Sequence, residues 1–261
     1  MRALPAFFLG SVLLCGAGPA SAVDTAPARE LDPVHVNAMR DPEIRKYKAI
    51  LAGLDAFDRH HKMAPAVERL TFRATARKPD ESPARLAARL VGDDGFSLAL
   101  PIGADGRFVV PRSDAAASAE SELELNRKRR AYRVNPDIRT PGLPANQRRL
   151  GDLRLECKVT VAIAKEEIPL FWVLAINTVM LTSDWCSFFD EKRQARFGFH
   201  ADGPVTGAVL REGERSLDLT AKDTSFEVPL GSPEWSDEAV VELRFADAAT
   251  GTAGETPRTA P

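Results

Sequence analysis

Two stretches of this chain carry the same run of alternating residues in the same order, and nothing else in the sequence constrains the fold as strongly. Ser97-Leu98-Ala99-Leu100 corresponds to Ser216-Leu217-Asp218-Leu219. Phe108-Val109-Val110-Pro111 corresponds to Phe226-Glu227-Val228-Pro229, and each copy then reaches a Glu-Leu pair after the same interval, Glu124-Leu125 and Glu242-Leu243. Ser118 with Ser236, and Glu120 with Glu238, fall in the same register. An apolar residue at every second position turns one face of a strand to a core and the other to water. The pattern predicts a mainly β (α+β) chain of tandem antiparallel β-sandwich-like repeats, over 66–125 and 196–246. Two unrelated meanders with similar hairpins are the alternative.

The first copy reads as strands at Leu70 to Arg77, Ala88 to Val91, Phe96 to Ile102, Phe108 to Val110 and Glu122 to Leu125. Asp93-Asp94-Gly95 and Asp105-Gly106 supply the turns. Pro101 cannot donate to a ladder, which argues for an edge strand. Asp105-Gly106-Arg107-Phe108 resembles the D-G-x-F turn of carboxypeptidase-regulatory-like, transthyretin-like sandwich modules, and the resemblance covers about 40 residues of each half. It implies a non-catalytic β module. The second half departs from the motif, with Asp223-Thr224-Ser225-Phe226 in place of the glycine turn.

Outside the copies, residues 23–65 hold a lead-in and an amphipathic helix. Asp41 suits its N-cap and Pro42 its first position, and Ile44, Tyr47, Ile50, Leu51, Leu54 and Phe57 form one stripe. The segment 126–195 connects the copies. Leu153, Leu155, Cys157, Val159, Val161 and Ile163 alternate like a strand, yet Asp152 as N-cap with Leu153, Cys157, Val161 and Ala164 also fits a helix. Ile168 to Leu181 is apolar except for Asn177 and Thr178, which predicts a buried helix starting near Pro169. A membrane-surface or partner-binding role for Phe171, Trp172 and Leu174 is the sharper alternative. Residues 247–261 are small and polar, as in a disordered tail.

Residues 1–22 have the three parts of a cleaved signal peptide: Arg2, an apolar run from Ala3 to Leu14, and Ala20-Ser21-Ala22. About a dozen apolar residues are too few for a retained span, and Leu14 before Cys15 fits a lipoprotein signal poorly. The expected location is therefore periplasmic or secreted, from a bacterial cell. Cleavage leaves two of the three cysteines, Cys157 and Cys186, in an oxidising compartment, as a disulfide or as two buried thiols.

The whole chain carries 35 Lys and Arg against 37 Asp and Glu, a balance that gives no global pull toward nucleic acid or membrane. Its four histidines, His35, His60, His61 and His200, lie in no metal-ligand spacing. There is no G-x-S-x-G elbow and no phosphate-cradling glycine loop, so no catalytic, metal or cofactor residue is assigned. Local charge is different: Arg127, Lys128, Arg129, Arg130 and Arg133 open a basic stretch that runs through Arg139, Arg148 and Arg149. In an exported protein that stretch would meet an anionic envelope component rather than nucleic acid, or else pair with acids such as Glu120, Glu122 and Glu124. The expected function is a non-enzymatic binding or structural module of the envelope that engages such a component or another envelope protein. A hydrolase or carbohydrate-active enzyme with paired carboxylates between the two halves is the competing class. Strand addition by an assembly accessory is a third.

Overall fold

The computed structural model describes residues 42–78 and 85–246. The predicted signal peptide, the predicted N-cap Asp41 and the predicted 247–261 tail lie outside the described residues. The fold is mixed α/β, with several antiparallel sheets, helices and one disulfide.

The first half opens with strand β1 (Pro42–Lys46) and helix α1 (Tyr47–His60), followed by a single 3-10 turn. Strands β2 (Phe72–Ala76), β3 (Ala88–Val91), β4 (Ser97–Leu100) and β5 (Arg107–Phe108) follow. A short helix α2 (Asp114–Ser118) leads into β6 (Glu122–Lys128) and β7 (Tyr132–Pro136). One sheet has the order β1-β6-β3-β4 and the other β5-β2-β7. Strand β4 stops before Pro101 and lies at a sheet edge, where a missing N–H costs no ladder bond. Gly106 closes the turn before β5 at φ +80°, and a Cβ there would come within 2.5 Å of the Ala74 carbonyl oxygen. Only glycine meets both conditions without strain.

The expected helix start at Asp41-Pro42 is corrected. Glu43 to Lys46 pair antiparallel with β6, and helix begins at Tyr47, whose N–H donates to the Ser121 carbonyl at 2.9 Å. Pro42 sits at a register shift in an edge strand, where a residue without an N–H is tolerated.

The second half opens in the same manner, with β8 (Gln147–Arg149) running into α3 (Leu150–Glu167). Helices α4 (Leu170–Met180) and α5 (Trp185–Phe188) come next. Then come β9 (Phe197–His200), β10 (Val205–Glu212), β11 (Arg215–Leu219), β12 (Ala221–Lys222), β13 (Ser225–Val228) and β14 (Val240–Phe245). The sheet orders are β11-β10-β14-β8 and β12-β13-β9. Leu125 pairs with Ala88, which pairs with Leu100; Leu243 pairs with Ala208, which pairs with Leu219. Phe72 stacks on Phe108 across β2 and β5 with centroids 6.1 Å apart, and Phe199 on Phe226 across β9 and β13 at 5.7 Å. The Leu150 N–H donates to the Ala239 carbonyl at 2.7 Å, as Tyr47 does to Ser121.

Helix α3 resolves the strand-or-helix ambiguity of 150–165 in favour of helix, and its packing explains the ambiguity. Leu155, Val159 and Ile163 belong to the apolar core built with α1 and the first-half sheets. Leu150, Leu153 and Cys157 belong to a second core with Phe199, Phe226, Trp235 and Leu243. A helix buried on two faces is apolar at nearly every second residue and imitates the period of a strand. Gly53 of α1 faces Val159 and Ile163 of α3, and the missing side chain lets the two helices approach closely.

Candidate functional site

Ile168 and Pro169 are extended, so the chain leaves α3 and starts α4 in a new direction, with Pro169 at its N-cap. No charged residue occurs from Leu170 to Leu181. The predicted helix is present, but its predicted burial is corrected: of the residues in α4 only Val173 is buried. Leu170 is 71% exposed, Phe171 61%, Trp172 54%, Leu174 57% and Val179 80%. The inner face is polar where it is anchored. The Trp185 Nε1–H donates to Asn177 Oδ1 at 2.7 Å, and the Asn177 carbonyl accepts the Thr182 N–H at 3.1 Å. Cys157 and Cys186 are bonded, their Cα atoms 6.0 Å apart, so α5 is tied to α3. The other cysteine reading, two separate thiols, is excluded.

Beside the anchored end of α4 lies a cavity of about 370 Å³ lined by Arg59, His60, Lys158, Lys165 and Trp185. Its one acid is Asp184, which pairs with Lys158. Arg59 makes no ion pair among the described residues. Lys165 donates to the Ser183 carbonyl at 2.7 Å and stands 4.9 Å over the Trp185 ring. Burial, together with Lys158 and Arg59, pushes the His60 imidazole below its usual range, and burial lowers Lys165 in the same way. In the sequence His60 stands out only as a histidine outside any metal-ligand spacing. The wall supplied by α3 could not be seen while α3 was itself ambiguous.

The basic stretch does not act as one unit. Arg127 and Lys128 end β6, Arg129 and Arg130 form the turn, and Arg133 lies in β7. Lys128, Arg129 and Arg130 are exposed, whereas Arg127 and Arg133 are half-buried. Arg127 bonds the Asn126 side chain at 2.9 Å and faces the Tyr132 ring, and the Arg130 N–H donates to Glu43 at 2.6 Å. Burial, with Arg77 nearby, lowers the Arg133 guanidinium. Arg148 and Arg149 turn inward, to Glu156 at 2.7 Å and to Glu238. Of the acids suggested by sequence, Glu124 is engaged elsewhere, pairing with Arg89 at 2.9 Å.

Asp137 and Glu156 line one cavity of about 130 Å³ between the two halves, with His200 on its wall. Neither carboxylate is unengaged. Asp137 bonds Arg107 and Arg139, and Glu156 bonds Arg148 and accepts the Ile138 N–H at 3.2 Å. Burial pushes Glu156 up while Arg148 opposes it. Among the described residues no cluster of His, Cys, Asp or Glu is placed to hold a metal ion, and no described helix is long and apolar enough to cross a membrane. No known protein family, no curated protein and no solved structure matches this chain.

Proposed function

We propose that the chain is an exported envelope protein that works as a non-enzymatic binding module, with α4 as its contact surface. The observation that carries this reading is the exposed apolar face of α4. Large apolar side chains gathered on one surface element are costly in water and are kept where a partner covers them. Export is supported by the signal pattern of residues 1–22. Catalysis by Asp137 and Glu156 is disfavoured because arginines already occupy both carboxylates and the cavity holds only a few waters. The exposed tip of the basic hairpin, Lys128, Arg129 and Arg130, offers a secondary contact for anionic envelope polymers.

We also propose that the two halves are copies of one unit, each a strand and helix followed by sandwich-like strands. The matching pairings of β1-β6-β3-β4 with β8-β14-β10-β11 support it, as do the two phenylalanine stacks in equivalent places. On this reading each unit starts at its β–α element, earlier than the 66–125 and 196–246 boundaries.

The test of the binding reading is fractionation of cells that express the full chain. The double substitution Phe171→Glu with Trp172→Glu should leave circular dichroism and Tm close to the parent, because both side chains are exposed. It should move the protein from the envelope-bound to the freely soluble fraction. An unchanged distribution would remove α4 as the contact surface.

A further inference from the structure

We infer that the occupant of α4 is the surface of an anionic lipid bilayer, with a lipid phosphate seated in the Arg59–His60–Lys158–Lys165 cavity. This rests on the binding reading above and names the partner. Three observations point to lipid rather than to a protein. At about 100° per residue, Leu170, Leu174, Phe171, Val179 and Trp172 sweep an arc of roughly 200°. A partner helix or flat protein face covers about half of that, leaving Leu170 or Trp172 in water. A fluid phase wraps the whole convex arc. Second, the helix is uncharged throughout and carries a neighbouring Phe-Trp pair, with ring centroids 4.9 Å apart, near its N-terminal end. Such residues settle at the boundary between acyl chains and headgroups.

The third observation is charge. The cavity carries three basic side chains, Arg59, Lys158 and Lys165, and a histidine against one carboxylate, and that carboxylate is taken by Lys158. Trp185 joins the two features: its N–H holds Asn177 of α4, and its ring lies beneath Lys165. An apolar ridge and a cationic recess therefore share one side chain, the arrangement that an amphiphile with an acidic headgroup requires. The nearest acids before α4 do not spoil the field. Glu166 pairs with Lys48 and Glu167 with Arg45, both at 3.0 Å. Eleven residues make a helix of about 16 Å, half of a bilayer core, so α4 lies along the surface and does not span.

The experiment is co-sedimentation of the exported chain, with residues 1–22 removed, with vesicles of phosphatidylcholine alone and with added phosphatidylglycerol, across a salt series. Binding is expected only with phosphatidylglycerol and should weaken as salt rises. Phe171→Glu with Trp172→Glu should abolish it. Arg59→Gln with Lys165→Gln should lower partitioning about thirtyfold, with circular dichroism unchanged and Tm lowered by only about a few degrees through loss of the Lys165 contacts to Ser183 and Trp185. Brominated phosphatidylglycerol should quench Trp172, with the quenching reduced in Trp172→Phe and the binding kept. Equal binding to neutral vesicles, or no effect of the cavity substitutions, would overturn the headgroup site. If no vesicle is bound yet envelope association still depends on Phe171 and Trp172, the lipid proposal fails and the binding reading stands.

Discussion

Asp137 is among the few deeply buried charged side chains of the described residues, and its surroundings decide its chemistry. Burial alone would raise its carboxyl, but Arg139, Arg148 and Arg107 outweigh that and hold it at about 2, against an ordinary 3.8. The folded chain therefore binds fewer protons here than the unfolded one. The stabilisation is complete above about pH 4 and is lost as pH falls through about 2, and it amounts to about 2 kcal/mol. Asp137→Asn is expected to lower unfolding free energy at pH 7 by at least that much. The gap should close toward pH 2 in urea titrations; a gap independent of pH would contradict the assignment. Nothing in the sequence marked Asp137 beyond its being the lone acid in a basic stretch. The arginines that hold it come from β5, from the loop after β7 and from β8, and that convergence is a tertiary fact.

At the scale of elements, legibility followed the number of buried faces. Strands β2, β3, β4 and β6 each alternate and were readable by period two. Helix α4 was readable from its length and from Pro169, but a period says nothing about whether an apolar face finds a cover. Helix α3 lost its period because two cores share it. Strand β1 was lost for another reason: Ile44, Tyr47 and Ile50 keep a spacing of three across the strand–helix junction, so the stripe extends one element too far. The disulfide is the main fixture of the α4–α5 excursion. Its 29-residue separation corresponds to roughly 3–4 kcal/mol of loop-closure stabilisation. Cys157→Ala with Cys186→Ala should lower Tm and speed hydrogen exchange in α4 and α5 more than in β2 or β3. Uniform acceleration across the chain would show that the bond holds the fold as a whole and not this excursion.

At the scale of the whole described chain, α3 makes two cores into one cooperative object. Leu155 contributes to one core and Leu153 to the other, both fully buried. Truncating either to Ala is expected to cost about 2–5 kcal/mol. Both substitutions should lower a single calorimetric transition whose van't Hoff and calorimetric enthalpies agree. Two separable transitions, each sensitive to one substitution, would mean that the halves melt independently.

The shared helix also sets an order of events during synthesis. A chain emerges from the ribosome N-terminus first, and domains that are complete in sequence fold as they appear. Here the first core lacks part of its wall until Ile163 has emerged, although the last strand of its sheets ends at Pro136. The second core then waits for β14, which pairs with the already synthesised β8. Neither core is complete in sequence before the middle of the chain has emerged, on the ribosome or beyond the membrane, and both are built around the helix made there.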